Sequence, residues 1–324
     1  MSFDLLPNTK KSDLAKWAEL ITDDIVRLTS GKPVLADPSA EFAGTPARLT
    51  VTVGFSPNLL ARIGAEIPSG FKPLPSFNID RLKPEYSNGD ILIQVSSDDP
   101  IALFYASRAL SRDTESFAKP RWVQQGFSNA AGVTPTGHTQ RNLMGQVDGT
   151  DNPAPNSSVF KKQVWIPKGP AWAVGGTQLV LRRIQMNLDS WDRLSTDSKE
   201  GVIGRKLSNG APLGKQNEAD LPDLEAVDEN GIKIIPPYAH IRKAAGKPEQ
   251  QFFRRPYNYE VPGEEAGLLW TAYCASIEDQ YVPIQKTLDE GDLLNLWTTP
   301  VGSSVWVIPA GFKEGEVLAS NLFA

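Results

Sequence analysis

The sequence predicts an α+β protein made of two ferredoxin-like halves whose sheets face each other. Three observations predict it. Strands with a period of two alternate with helices whose apolar residues recur every three to four positions. That order of elements occurs twice along the 324 residues. The length is also large for a single core, so two packed halves are expected. No sequence repeat accompanies the duplication, which rests on element order alone.

Ser12 is a plausible N-cap for a first helix, and Leu14, Trp17, Ala18, Ile21, Ile25 and Leu28 follow helical spacing until Gly31 and Pro33 stop it. In residues 47–54, Leu49, Val51 and Val53 alternate with Arg48, Thr50 and Thr52, which is a half-buried strand. Pro57 opens a short helix through Leu59, Leu60 and Ile63. Residues 91–95 form the next strand, and Asp98, Asp99 and Pro100 start a helix containing Ala102, Leu103, Ala106 and Leu110. Residues 122–127 read as a further strand.

The second half repeats the alternation: a long strand over 175–186, a helix over 188–194, a strand over 267–275, a helix over 277–288 and a closing strand over 304–309. The halves divide at residues 1–140 and 141–324. Between 206 and 259 the chain is rich in Gly, Pro, Asp, Glu and Lys, and an irregular segment of that length in a compact protein implies a functional reason.

Composition removes several classes. The formal net charge of −5 argues against a nucleic-acid binder, which needs many Lys and Arg against phosphates. No apolar run approaches the ~20 residues of a membrane span. The start of the chain carries neither a charged n-region nor a twin-arginine signal, so a cytoplasmic location is expected. Cys274 is the only cysteine, which excludes an intrachain disulfide framework and a cysteine-only metal site; its apolar neighbours make it a packing residue.

Only two histidines occur. His240 lies within Tyr238-Ala-His-Ile-Arg-Lys, inside the irregular segment, and is closely followed by the cationic Arg242 and Lys243, which either pair with haem propionates or face solvent. A lone histidine is usually an ordinary surface or core residue, but a haem protein with a proximal imidazole needs only one. His138 falls in a turn-rich stretch and reads as a loop residue; a non-haem iron site would need it together with His240 and a carboxylate. Upstream, Gly145-Gln-Val-Asp-Gly-Thr-Asp is an acidic, Gly-rich turn. It is either a plain turn or a place where backbone approaches a flat cofactor closely while a carboxylate, Asp148 or Asp151, points over its face. Arg254-Arg255, flanked by Phe252, Phe253, Tyr257 and Tyr259, is either a solvated pair or a cation laid over aromatic surface. One imidazole for iron, one acid to move a proton and one guanidinium to steady charge on a peroxide oxygen are the three groups a haem peroxidase needs.

At these residues the chain resembles the dye-decolourising (DyP-type) haem peroxidases. The likeness rests on the Gly-x-x-Asp-Gly motif at Gly145, Asp148 and Gly149, and on the segment at His240. It extends through the Phe-Arg-Arg-x-Tyr-Asn-Tyr run from Phe253, residues 267–273 and residues 202–205. It implies a dimeric α+β barrel within one chain, with one haem b held mainly by the C-terminal half. Carried over residue by residue, His240 is the proximal iron ligand, Asp148 the distal proton carrier and Arg254 the distal arginine. Arg205 pairs with a propionate, and Leu268 and Trp270 line the distal face, where the family often has phenylalanine in place of the tryptophan. Met144, Gly149 and Thr150 lie against the cofactor, and Asp292 accepts the other imidazole N–H. The implied reaction is oxidation of dyes, phenols or other organic donors by hydrogen peroxide through a ferryl intermediate. The partners implied are peroxide and small reducing molecules, with no nucleic acid or membrane; self-association stays open. The alternative within the same fold is a haem-handling protein that stores, moves or processes haem, which needs His240 but not Asp148 and Arg254.

Overall fold

The computed structural model describes residues 1–324 apart from 36, 136, 137 and 149. The N-terminal unit runs β1 (Ser2–Leu5), α1 (Lys11–Thr29), β2 (Thr50–Phe55), α2 (Pro57–Arg62), β3 (Ile91–Ser96), α3 (Pro100–Thr114) and β4 (Ala118–Trp122). Its strands are antiparallel in the order β4-β1-β3-β2.

The C-terminal unit begins with α4 (Ser158–Val164) and β5 (Thr177–Met186). After α5 (Leu188–Asp192), α6 (Thr196–Ile203) and α7 (His240–Lys243) come β6 (Phe253–Arg254), β7 (Tyr257–Val261) and β8 (Glu265–Cys274). α8 (Val282–Asp289) and β9 (Thr298–Ile308) complete it. Its order is β9-β5-β8, with β6 and β7 sharing the far edge of β8. This is the same order as in the first unit, so the ferredoxin-like plan occurs twice, as predicted. The units join edge to edge at the pairing of Phe55 with Val307. Their inner faces also meet: Leu92 and Trp122 pack with Leu179, Leu181 and Trp306, and Tyr273 Oη donates to Gln94 Oε1 at 3.2 Å. The helical side of both sheets is filled by one larger core, which Leu318, Leu322 and Phe323 enter when the chain crosses back over α1.

Local causes differ from expectation at a few points. α1 starts one residue before Ser12, and its first turn is closed by the Asp13 carboxylate accepting from the Lys10 amide at 3.0 Å. The acid at N3 therefore does what was assigned to Ser12. α2 opens at Pro57 as expected, with Ser56 as its cap, and α3 is capped by Asp99, one of the residues expected to start it. The last strand of the first unit is Ala118–Trp122, upstream of the predicted 122–127; Pro120 within it is tolerated because β4 is an edge strand. Cys274 is buried against the Gln178 carbonyl at 3.6 Å, and burial pushes its thiol pKa up, as a packing residue requires. Among the described residues no helix is long and apolar enough to cross a membrane.

One buried carboxylate gives a pH-dependent stability. Asp24 on α1 is 2% exposed. Burial pushes its carboxyl up to about 7, aided by a shared hydrogen bond with Asp113 of α3 and by the charges of Asp113 and Asp23, against the opposing Arg27. The folded chain thus holds a proton that the unfolded chain releases near the ordinary aspartate value. Its contribution is complete in acid below that value and is lost as pH rises to about 7. Thermal unfolding should therefore show a lower midpoint at pH 8 than at pH 5.5, and Asp24→Asn should flatten that difference. An unchanged slope in the variant would assign the dependence elsewhere.

Candidate active site

α7 begins at His240, within the long 206–259 segment. Arg242 fastens that segment: its guanidinium donates to the carbonyls of Leu224, Ile235 and Pro236. Its expected alternatives, a propionate or solvent, are thus replaced by main-chain anchoring. His240 Nδ1 lies 2.6 Å from Asp292 Oδ2. The other Asp292 oxygen accepts the Leu294 amide at 2.9 Å and caps the turn Leu293–Leu296. Burial works to lower the imidazole's pKa, but the Asp292 carboxylate outweighs it and holds His240 above its ordinary value. Arg254 pulls it down and Asp148 pulls it up.

The side chain of Asp292 is 3% exposed and that of His240 31%. One ring nitrogen is engaged in the interior, and Nε2 has no hydrogen-bond partner among the described residues. That is the arrangement of a ligating histidine whose tautomer and orientation are fixed by a carboxylate behind it.

The acidic turn is tied down by its own main chain. Arg141 and Val147 form an isolated bridge, and the Arg141 guanidinium donates to the carbonyls of Gly145, Leu207 and Ser208 at 2.7–2.9 Å. Gly145 takes φ +78°, which glycine adopts without cost. Asp148 is half-buried; its amide donates to the Gln140 carbonyl at 3.0 Å and its Oδ2 accepts from Asn142 Nδ2 at 3.4 Å. Asp151 is exposed, so burial separates two acids that composition leaves equivalent. Gly149 lies outside the described residues. Thr150 Oγ1 donates to Glu218 Oε1 at 2.7 Å. Met144 is buried, and its carbonyl accepts from Trp191 Nε1 at 2.9 Å.

The register of the edge strand separates the paired arginines. Arg254 lies opposite Ala272, on the side of β8 shared with Leu268 and Trp270, because successive residues alternate faces. Arg254 is half-buried, whereas Arg255 is exposed with its guanidinium 6.0 Å from the Tyr257 ring. Asn152, from the acidic turn, bonds both the amide and the carbonyl of Arg254 at 2.8 Å. Arg205 donates to the carbonyls of Gly210 and Glu218 at 2.7 and 3.0 Å. Burial lowers its pKa; Asp151 and Glu218 oppose that and Arg254 adds to it.

Leu268 and Trp270 from the sheet, Met144 from the turn, Ile241 beside the imidazole and Leu294 beside Asp292 belong to one apolar cluster. Trp270 also meets Phe252 and Tyr281, at ring distances of 5.9 and 5.7 Å. Partly buried apolar walls, an imidazole with one open nitrogen and nearby guanidinium groups are the donor set that a flat, dianionic iron porphyrin requires, so the residues present fit haem. His138 is exposed. Among the described residues no group of three His, Cys, Asp or Glu could hold a bare metal ion.

Sequence reasoning missed Asn142, Asn152 and Glu218. Asn152 could have been suspected only as a turn former before Pro153, and nothing in the sequence links Glu218 to Thr150.

Comparison with known proteins points to a family. Profiles described as the N-terminal and C-terminal parts of Dyp-type peroxidase match residues 2–128 and 139–313. A dye-decolorizing peroxidase of Thermobifida fusca (strain YX) is 37% identical over 98% of this chain and 77% of its own length. A deferrochelatase of Escherichia coli (strain K12) is 30% identical over 98% of this chain and 80% of its own. A crystal structure of a DyP-type peroxidase from Cellulomonas bogoriensis superposes with a TM-score of 0.95 at 44% identity, covering 99% of this chain and 91% of that one. Ferric DtpA from Streptomyces lividans gives 0.93 at 36% identity, covering 99% and 90%.

Proposed function

Since the chain belongs to the Dyp-type peroxidase family, a family of haem-binding peroxidases, we propose that residues 141–324 hold haem b on His240 and that hydrogen peroxide is cleaved between Asp148 and Arg254. The observation that carries this reading is the imidazole itself: it is backed by Asp292 on one nitrogen and open on the other, and Ile241 beside it shares an apolar cluster with Met144 of the acidic turn and with Leu268 and Trp270 on the strand that pairs with Arg254.

Haem, when bound, would supply the iron redox chemistry that peroxide cleavage needs. The protein supplies everything around it. Asp292 keeps the proton on Nδ1, so that Nε2 is the ligating atom and is made more electron-rich. Asp148 takes a proton from peroxide at a carboxylate oxygen and returns it to the departing oxygen, which leaves as water. The Arg254 guanidinium, a permanent cation, favours peroxide in its anionic form and the charge that grows as the O–O bond breaks. Arg205 would pair with a propionate, and Leu268 and Trp270 would line the apolar wall beside the cofactor. Two single-electron donors, such as phenols or dyes, then restore the resting protein.

The deferrochelatase relatives favour a second reading, in which the same pocket handles haem as cargo. Absorption spectra of haem-loaded protein before and after peroxide separate the two. A peroxidase shows a prompt peroxide-dependent spectral change that reverts on adding a phenol. A haem handler shows no such cycle, and Asp148→Ala and Arg254→Ala variants leave its peroxide reactivity as it was.

A further inference from the structure

Arg254 sits in a strand of only two residues, at the edge of its sheet. The next residue, Arg255, donates its amide to the Thr271 carbonyl at 3.0 Å. In an antiparallel ladder hydrogen-bonded and non-hydrogen-bonded positions alternate, so Arg254, opposite Ala272, turns its own N–H and C=O away from β8. A third strand would normally meet them. Here the Asn152 side chain does: Oδ1 accepts from the Arg254 N–H and Nδ2 donates to the Arg254 carbonyl, both at 2.8 Å. A primary amide is the side-chain group that can donate and accept across such a pair, whereas a carboxylate only accepts. Asn152 lies in the turn that carries Asp148.

We propose that Asn152 is the positioning residue that locks Arg254 to the Asp148 turn, so that acid and cation are held as one unit over the site. The proposal rests on reading Asp148 and Arg254 as the peroxide-facing pair. It explains how a two-residue strand can present a guanidinium in a fixed place: its outward main chain is clamped by the same turn that presents the acid. A misplacement of about 1 Å can cost about a hundred-fold in rate, so releasing this clamp has a kinetic consequence.

The test is a double-mutant cycle on the haem-loaded protein, with Asn152→Ala, Arg254→Leu and the double variant, read by the rate constant of the peroxide-induced spectral change. Amide hydrogen exchange of residues 253–255 and haem affinity are read alongside. Asn152→Ala should slow the peroxide step about ten- to a hundred-fold and expose the Arg254 amide to exchange, with haem affinity unchanged. In the Arg254→Leu background it should slow the peroxide step no further, because its effect passes through the arginine. Asn152→Asp keeps one of the two bonds and should fall between. Equal slowing in both backgrounds, or unchanged protection of residues 253–255, overturns the proposal. If Arg254→Leu alone reacts at the unaltered rate, the functional reading fails instead, and the exchange data still decide whether Asn152 clamps the strand.

Discussion

Replacing His240 by alanine is expected to cost the protein its haem. Of the two histidines, His138 is exposed, and among the described residues only His240 has a carboxylate, Asp292, against its ring. Removing even an outer partner of a ligating histidine typically costs ten- to a hundred-fold in affinity; removing the ligand itself should cost at least about a hundred-fold. The variant also leaves the Asp292 carboxylate buried without the imidazole, so His240→Gln, which keeps a polar group beside Asp292, controls for that penalty. Titration of haem into each protein, followed at the Soret band, measures the effect. Retention of unaltered affinity in both variants would mean that the ligand is another residue.

The second large effect is expected on the open side of the ring. Asp148→Asn removes the proton carrier while keeping size and hydrogen-bonding capacity, and should slow the peroxide step by about 10²–10⁴, the usual worth of positioned acid–base catalysis. Arg254→Leu removes the cation and should slow the same step by about 10²–10³, the range for a group that stabilises developing charge. Neither variant touches the Asp292–His240 pair, so haem affinity and the resting spectrum should stay close to those of the unaltered protein. Stopped-flow mixing with peroxide reads the rates directly. Rates within a factor of about two of the unaltered protein in both variants would remove the acid-and-guanidinium mechanism and favour the haem-handling reading.

What the sequence makes legible follows from how much of each element's stability is local. α1 announces itself because Leu14, Trp17, Ala18, Ile21, Ile25 and Leu28 repeat at helical spacing over nineteen residues. β5 and β8 are long enough, at ten residues each, to stand out. β1 does not: four residues cannot display a period, although the strand lies between β3 and β4 inside the first sheet. β6 is shorter still and exists because β8 and Asn152 satisfy its main chain from two sides. For the site, the residue types of His240, Asp148 and Arg254 are visible as chemistry, but their meeting is a tertiary fact. The burial that separates Asp148 from Asp151, and the register that separates Arg254 from Arg255, depend on contacts remote in sequence. Arg242 shows the converse: a cation beside the key histidine reads as a candidate for a haem propionate, yet its guanidinium is consumed by main-chain carbonyls of the long loop.

A crystal structure of the haem-loaded protein probes the arrangement most directly. It should place iron on Nε2 of His240, keep Asp292 on Nδ1, and put the Asp148 carboxylate and Arg254 guanidinium together on the opposite face of the porphyrin. Iron bound by a different side chain, or Asp148 and Arg254 turned away from that face, would contradict it.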